Sequence, residues 1–204
     1  MARKTSEDYD KTKQRLLEVG LLLFQEKGYN ATGLQEIATG SDISKGSFYT
    51  YFSSKADFGV GVIRYYTESS IAGWTRMLIE ATKEDNAYKA LSTTFFQMTD
   101  IYKEADTKKG CLLGNLAGEI SEASEVCRLE LHDSVNQYKA ILIKYLTIGQ
   151  SMGEVRDDLS AESLADLIWD SWQGSLLRMQ IENSVEPVTN NLSMIFDHLL
   201  LPRQ

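Results

Sequence analysis

A polar stretch at residues 44–52 carries side chains of the types that bind nucleic acid. A lysine can reach a phosphate or a guanine, and hydroxyl groups bond phosphates or base edges. A glycine lets the backbone approach a ligand closely. If the stretch is a short helix with one inward face, its outward face would fit a groove of DNA and would consist of Ser44, Lys45, Gly46, Ser47, Tyr49, Thr50 and Tyr51.

Two short helices joined by a tight turn would place these side chains. Thr32 can cap the first helix, with Gln35 in the capping-box position three residues later. Residues 39–42 have turn chemistry. In the second helix Phe48 and Phe52 are four residues apart, so both can point inward and leave the polar residues outside. A helical hairpin inside an unrelated bundle is the alternative, but packing alone would not require so polar a face.

The same stretch resembles the helix-turn-helix signature of the TetR family of bacterial transcriptional regulators. The spacing is kept without gaps, and the residues that carry the likeness are Thr32, Ile37, Ala38, residues 43–52, Ser54 and Lys55. The resemblance adds Thr32, Gly33 and Lys55 to the candidate DNA contacts. The family usually has Ala-Gly where this chain has Ser41-Asp42. Aspartate tolerates a left-handed backbone, so we expect the turn to be kept and its carboxylate to weaken DNA affinity slightly or to alter sequence preference.

Composition predicts a helical globular protein without a disulfide framework. The chain has 204 residues, of which 43% are apolar, with 2 prolines and 14 glycines. Two cysteines favour a reducing cytoplasm, and we expect neither a membrane span nor a secretory signal. The histidines are His132 and His198, and the sequence has no paired metal-ligand spacing and no glycine-rich phosphate loop. We therefore expect no enzyme activity, no cofactor and no metal; a helical enzyme and an adaptor that binds only protein are the alternatives.

The net charge of −8 is unevenly distributed along the chain. Residues 1–58 contain eight basic and eight acidic residues, so the whole excess of negative charge lies beyond them. DNA binding requires a local cationic surface rather than a basic protein, so this distribution is compatible with it. Arg3 and Lys4 would form an N-terminal arm able to reach DNA, although a frayed terminus is an equally good interpretation.

Apolar residues recur at helical spacing along most of the chain, which predicts an all-α fold of about nine helices. We expect a three-helix head containing the helix-turn-helix in residues 1–54, and a larger helical bundle for effector sensing and dimerisation in residues 55–204. Gly28 should end the first helix, Ser160 should cap the last but one, and Pro187 should lie in the first turn of the last. Outside the helix-turn-helix, the predicted helices cover about residues 10–27, 55–83, 87–105, a short helix from 111, 124–150, 160–183 and 187–200.

The family resemblance also implies an assembly and a mechanism. TetR-type proteins dimerise through their last two helices, which here implies a homodimer through residues 160–200. Such a dimer places two recognition helices about one DNA turn apart, or a multiple of it, and predicts a palindromic operator in double-stranded DNA. Members of the family are most often repressors, and a small-molecule effector releases them by favouring a conformation that does not match the groove spacing.

A second segment, residues 109–119, resembles the Gly-Cys-Leu-x-x-x-Leu-x-x-Glu region of the NemR-type, electrophile-responsive group of the family. The resemblance implies that Cys111 responds to reactive electrophiles. A thiol at a helix N-terminus beside Lys108 and Lys109 would have its thiolate form favoured. The alternative is that Cys111 is a small packing residue, which is also our expectation for Cys127. We expect a solvated acidic face formed by Glu119, Glu122 and Glu125.

A non-covalent effector pocket is the broader alternative to a reactive thiol. Apolar and aromatic side chains between helices often line small-molecule sites in bundles. Each such residue is also compatible with plain core packing, and the family resemblance is what favours a pocket. The candidate lining consists of Tyr65, Phe95, Met98, Tyr138, Leu142, Trp169 and Trp172.

Overall fold

The computed structural model describes residues 6–82, 86–104, 110–121 and 123–202. Within these ranges the chain forms nine α-helices and no strand, which confirms the predicted all-α class. None of these helices combines the length and the apolar character that crossing a membrane requires. The helices are α1 (Ser6–Ala31), α2 (Leu34–Gly40), α3 (Lys45–Phe48), α4 (Lys55–Ala81), α5 (Ala87–Glu104), α6 (Leu112–Ile120), α7 (Glu125–Ser151), α8 (Ala161–Glu182) and α9 (Glu186–Met194), and a π-helical turn (Ile195–Leu199) follows α9.

The chain divides into two compact units. The first unit comprises residues 1–69 and 112–134, and the second comprises residues 70–111 and 135–204. The first unit therefore contains the helix-turn-helix together with α6. The predicted functional boundary after residue 54 remains a prediction, because compactness does not define which residues bind DNA. The predicted N-terminal arm lies outside the described residues.

An aromatic cluster forms the core of the first unit. The ring of Phe58 packs edge-on against Phe24, Phe48 and Phe52, with centroid distances of 5.9, 5.4 and 5.0 Å. Gly20 makes this packing possible, because a Cβ at that position would lie 2.3 Å from the Phe58 ring. The cluster joins α1, α3 and the start of α4 and so supports the helix-turn-helix from behind.

A second aromatic cluster fills the core of the other unit. Trp74 packs edge-on against Phe95 and Tyr138, each with a centroid distance of 5.3 Å. Trp172 contacts Phe95 at 5.1 Å, and Trp169 stacks on Tyr138 at 5.1 Å. These rings fix α4, α5, α7 and α8 against one another within this unit.

Most helix ends follow the predicted local chemistry. Ser160 caps α8 by accepting a hydrogen bond from the Ser163 N–H at 3.1 Å, and Pro187 lies in the first turn of α9. Gly28 interrupts α1 with φ 82° and ψ 173°, as expected of its stop signal. Helix α7 ends at Ser151, one residue beyond the predicted end, and Gly153 follows it with φ 71°.

Candidate nucleic-acid interface

The turn between α2 and α3 adopts the conformation expected for a helix-turn-helix. Asp42 has φ 56°, which is the left-handed region that glycine normally occupies. The turn closes through a hydrogen bond from the Ile43 N–H to the Ala38 carbonyl at 3.0 Å. Aspartate therefore replaces the family's glycine without loss of the turn, as predicted.

Ser41, the other departure from the family pattern, is fully buried, and its hydroxyl has no hydrogen-bond partner among the described residues. An unpaired buried hydroxyl costs roughly 1–3 kcal/mol. We therefore expect Ser41→Ala to raise the free energy of unfolding by about 1 kcal/mol, measured by denaturant titration.

Ser44→Ala is the matched control, because it makes the same chemical change where the hydroxyl is used. The Ser44 hydroxyl caps α3 by accepting from the Ser47 N–H at 3.1 Å. Its loss should lower the free energy of unfolding by about 1 kcal/mol. Equal destabilisation by both substitutions would contradict the assignment of Ser41 as an unsatisfied group.

The recognition helix is shorter than predicted. Helix α3 ends at Phe48, and the chain continues to Tyr51 in a tight turn in which the Thr50 N–H bonds the Ser47 carbonyl at 3.1 Å. Phe48 and Phe52 are both buried, which confirms their inward orientation. The short helix and its following turn still present one polar face.

Most of the predicted contact residues lie on that face. Ser47 and Lys55 are half-buried. Tyr49 keeps 53% of its surface exposed although it is aromatic, which leaves the phenol available to a partner. The exposed members of the predicted set are Gly33, Ser44, Lys45, Gly46, Tyr49 and Thr50.

The predicted roles of two residues need correction. Thr32 is only 1% exposed, and its hydroxyl donates to the Gly28 carbonyl at 2.7 Å. Gly33, not Thr32, occupies the N-cap position of α2, where no side chain makes a capping bond. Tyr51 is buried and stacks on Tyr9 with a centroid distance of 4.8 Å. The side chains of Thr32 and Tyr51 therefore stabilise the fold and do not lie on the exposed face.

Lys55 is held by the protein rather than extended into solvent. Its Nζ lies 4.4 Å from the centre of the Tyr29 ring and donates to the Asn30 carbonyl at 3.4 Å. Burial lowers the pKa of Lys55, and the negative charge of Glu119 opposes that shift. Contact of Lys55 with DNA remains a prediction.

Glu119 is not part of a solvated acidic face, contrary to our expectation. It is half-buried and accepts a hydrogen bond from the Asn30 N–H at 3.0 Å. Glu125 is exposed and pairs with Arg128, and Glu122 lies outside the described residues. Spacing by three residues did not distinguish these carboxylates, and the contact partner of Glu119 lies 89 residues away in sequence.

The predicted effector residues are divided between the two units. Tyr65 belongs to the first unit, where it lines a groove of about 390 Å³ with Lys13, Arg64 and Glu68. The other seven candidates, Cys111 among them, belong to the second unit. There, a cleft of about 210 Å³ is lined by Ser70, Gly73, Trp74, Met77, Met98, Ile101 and Tyr102.

Met98 is the predicted lining residue that lies in this cleft, and its contact with an effector remains a prediction. Phe95, Tyr138, Leu142 and Trp172 are packed into the core of the unit and do not line it. Trp169 stacks on Tyr138 and is likewise a core residue. Sequence periodicity could not have separated the two groups, because core and cleft residues have the same apolar character.

The two cysteines are thiols in different surroundings. Cys111 immediately precedes α6 and is 9% exposed. Burial strongly raises the pKa of the nearby Tyr102, and the negative charge of an ionised Cys111 would raise it further. Lys108 and Lys109 lie outside the described residues. Cys127 is fully buried, and its Sγ donates to the Ala56 carbonyl at 3.3 Å. Burial raises the pKa of Cys127, in agreement with a packing role.

Two short helices joined by a left-handed turn, with an exposed polar face set on an aromatic core, have the geometry of a helix-turn-helix DNA-binding unit. Residues 16–58 match the family model described as bacterial regulatory proteins of the tetR family. Residues 87–195 match the model described as the tetracyclin repressor-like C-terminal domain. The chain belongs to the TetR family.

Named relatives agree with this assignment. The chain is 35% identical to the HTH-type transcriptional repressor DhaR of Mycobacterium sp. (strain GP1), with 92% of each chain covered. It is 30% identical to the transcriptional regulator AcuR of Cereibacter sphaeroides, with 86% of this chain and 79% of AcuR covered. The crystal structure of reduced Escherichia coli NemR superposes with a TM-score of 0.82 at 26% identity, covering 92% of this chain and 97% of NemR. The protein is thus a ligand-responsive, DNA-binding regulator and not an enzyme.

Proposed function

We propose that the protein is a cytoplasmic repressor that binds a palindromic operator as a homodimer and leaves it when a small molecule or reactive electrophile reaches the second unit. The observation that carries this proposal is the exposed face of Lys45, Tyr49 and Thr50, fixed from behind by buried phenylalanines. Polar residues on a rigid support are what direct contact with base edges requires. The likeness of this chain to proteins named as repressors supports repression rather than activation.

The recognition face is tested by Lys45→Ala and Tyr49→Ala. Each substitution should weaken operator binding by roughly ten-fold to a hundred-fold, because a good groove contact contributes about 1–3 kcal/mol. The operator can be selected from random DNA with the wild-type protein, and affinities measured by fluorescence anisotropy at several salt concentrations. Lys45→Ala should also reduce the salt dependence if its ammonium neutralises a phosphate.

Lys144→Ala is the matched control, because it removes the same charge from an exposed position on α7. It should leave operator affinity close to that of the wild type. Wild-type affinity in both Lys45→Ala and Tyr49→Ala would refute the recognition-face assignment. The oligomeric state should be the same in all three variants.

An exposed apolar stripe supports the proposed dimer. On α8, Leu177 and Ile181 are 57% and 74% exposed, and Leu167 and Gly174 lie exposed on the same face. Apolar residues that stay exposed along one face of a helix mark an interaction surface. We propose a second copy of the chain as its occupant, because both α8 and α9 belong to the region through which TetR-type proteins dimerise.

Cys111→Ser separates the two proposed routes of release. If the thiol senses electrophiles, the variant should release DNA at least about ten-fold more slowly than the wild type on addition of N-ethylmaleimide, because the nucleophilic thiolate is absent. Cys127→Ser should respond as the wild type does, because burial raises the pKa of Cys127 and so lowers its thiolate fraction at pH 7.5. If Cys111→Ser responded as the wild type does, the cleft of the second unit that Met98 lines would remain as the proposed effector site.

A further inference from the structure

We propose that Glu119 is a positioning residue for DNA binding: its carboxylate holds the backbone at the C-terminal end of α1, just before α2, and thereby fixes the orientation of the helix-turn-helix. Glu119 itself is a carboxylate on α6 and would not contact a phosphate. The inference rests on the proposed operator binding, because operator affinity is its main readout.

A long-range hydrogen bond is the first observation. Glu119 Oε2 accepts from the Asn30 N–H at 3.0 Å, and the carboxylate is half-buried. Asn30 lies at the end of α1, four residues before α2 begins at Leu34. A hydrogen bond from a backbone N–H to a charged acceptor is among the stronger ones in proteins, and partial burial strengthens it further.

Close contact with Gly28 is the second observation. A Cβ at position 28 would lie 2.1 Å from Glu119 Oε1 and 2.7 Å from Oε2. Gly28 also has φ 82°, where a side chain would be strained. The carboxylate therefore lies close to the backbone at the break in α1, and a side chain at position 28 would be strained and would displace the carboxylate from this place.

Asn30 is held at both of its main-chain polar atoms. Glu119 accepts from its N–H, and Lys55 Nζ donates to its carbonyl at 3.4 Å. Lys55 is the first residue of α4, the helix that follows the helix-turn-helix, whereas Asn30 lies in the last turn of α1, the helix that precedes it. The two ends of the helix-turn-helix are thus joined at one residue, and α6 is attached to that junction through Glu119.

The direction of the mutational effect distinguishes positioning from simple electrostatics. Removal of a negative charge from a DNA-binding unit strengthens attraction to phosphates. If Glu119 positions the helix-turn-helix, Glu119→Ala should weaken operator binding despite that gain. Glu119→Gln keeps an oxygen that can accept from Asn30, and so should restore the affinity.

Operator affinity should fall about ten-fold or more in Glu119→Ala and stay within about two-fold of the wild type in Glu119→Gln. Affinity for unrelated DNA should not fall in either variant. Glu125→Ala is the control, because Glu125 is an exposed carboxylate of the same unit that pairs with Arg128. An operator affinity of Glu119→Ala equal to or above that of the wild type would overturn the proposal, as would an equal loss in Glu119→Gln.

Hydrogen exchange of the Asn30 amide gives a readout that does not depend on DNA. We expect this amide to be protected in the wild type and in Glu119→Gln, and to exchange at least about ten-fold faster in Glu119→Ala. If the wild type bound no DNA, the proposed function would fail, but the exchange rates would still report whether Glu119 holds the junction. Equal exchange in the wild type and in a folded Glu119→Ala would exclude the contact.

Discussion

Phe58→Ala is expected to lower the free energy of unfolding by about 3–5 kcal/mol, a large fraction of the total stability of a domain. Phe58 is fully buried and contacts three other phenylalanines and the backbone at Gly20. Truncation leaves a cavity between α1, α3 and α4 that the surrounding rings cannot fill. The measurement is a denaturant titration followed by circular dichroism, and operator binding should be lost together with the folded helix-turn-helix.

Leu22→Ala is the control for this experiment. Leu22 lies on α1 but is 61% exposed, so its truncation should change stability by no more than about 0.5 kcal/mol. If Phe58→Ala unfolded at the same denaturant concentration as Leu22→Ala, the aromatic cluster would not be the support of the recognition helix.

The double substitution Leu177→Glu and Ile181→Glu is expected to convert the proposed dimer into monomers and to reduce operator affinity by roughly 10²–10⁴-fold. In the proposed dimer, the introduced carboxylates of both copies would be buried together in an apolar interface. Burial of unpaired charges is strongly unfavourable, so the dimer should dissociate. A monomer also loses the gain that comes from linking two half-site contacts. Sedimentation velocity measures the assembly, and anisotropy measures the binding.

Val126→Glu provides the matched control, because Val126 is 53% exposed on α7 in the first unit and the substitution adds the same charge. It should leave both the assembly and the operator affinity unchanged. A dimer that persists in the double variant would show that the α8 stripe is not the interface.

Local chemistry made the helix-turn-helix predictable. The Ser44 cap, the inward phenylalanines four residues apart and the left-handed Asp42 all depend on neighbours within a few positions. The role of Thr32 was not predictable in the same way. A threonine hydroxyl before a helix can cap that helix or bond a carbonyl four residues back. In this chain the Thr32 hydroxyl bonds the Gly28 carbonyl.

The parts that sequence did not reveal depend on distant contacts. Glu119 and Asn30 are 89 positions apart, and nothing in the spacing of Glu119 and Glu125 indicated that one carboxylate would be held and the other solvated. Which of the predicted effector residues line a cleft also depends on distant packing. Phe95 and Met98 have the same helical periodicity, yet one is in the packed core and the other lines the cleft.

The attachment of Asn30 through its main chain alone has a consequence for tolerance to substitution. Because Glu119 and Lys55 contact the amide and the carbonyl, the exposed side chain of residue 30 takes no part in the junction. Position 30 should therefore accept most amino acids that keep the backbone N–H, while a side chain at Gly28, two residues earlier, would be strained and would displace Glu119. A fluorophore attached at position 30 would therefore lie beside the junction without replacing either of its hydrogen bonds.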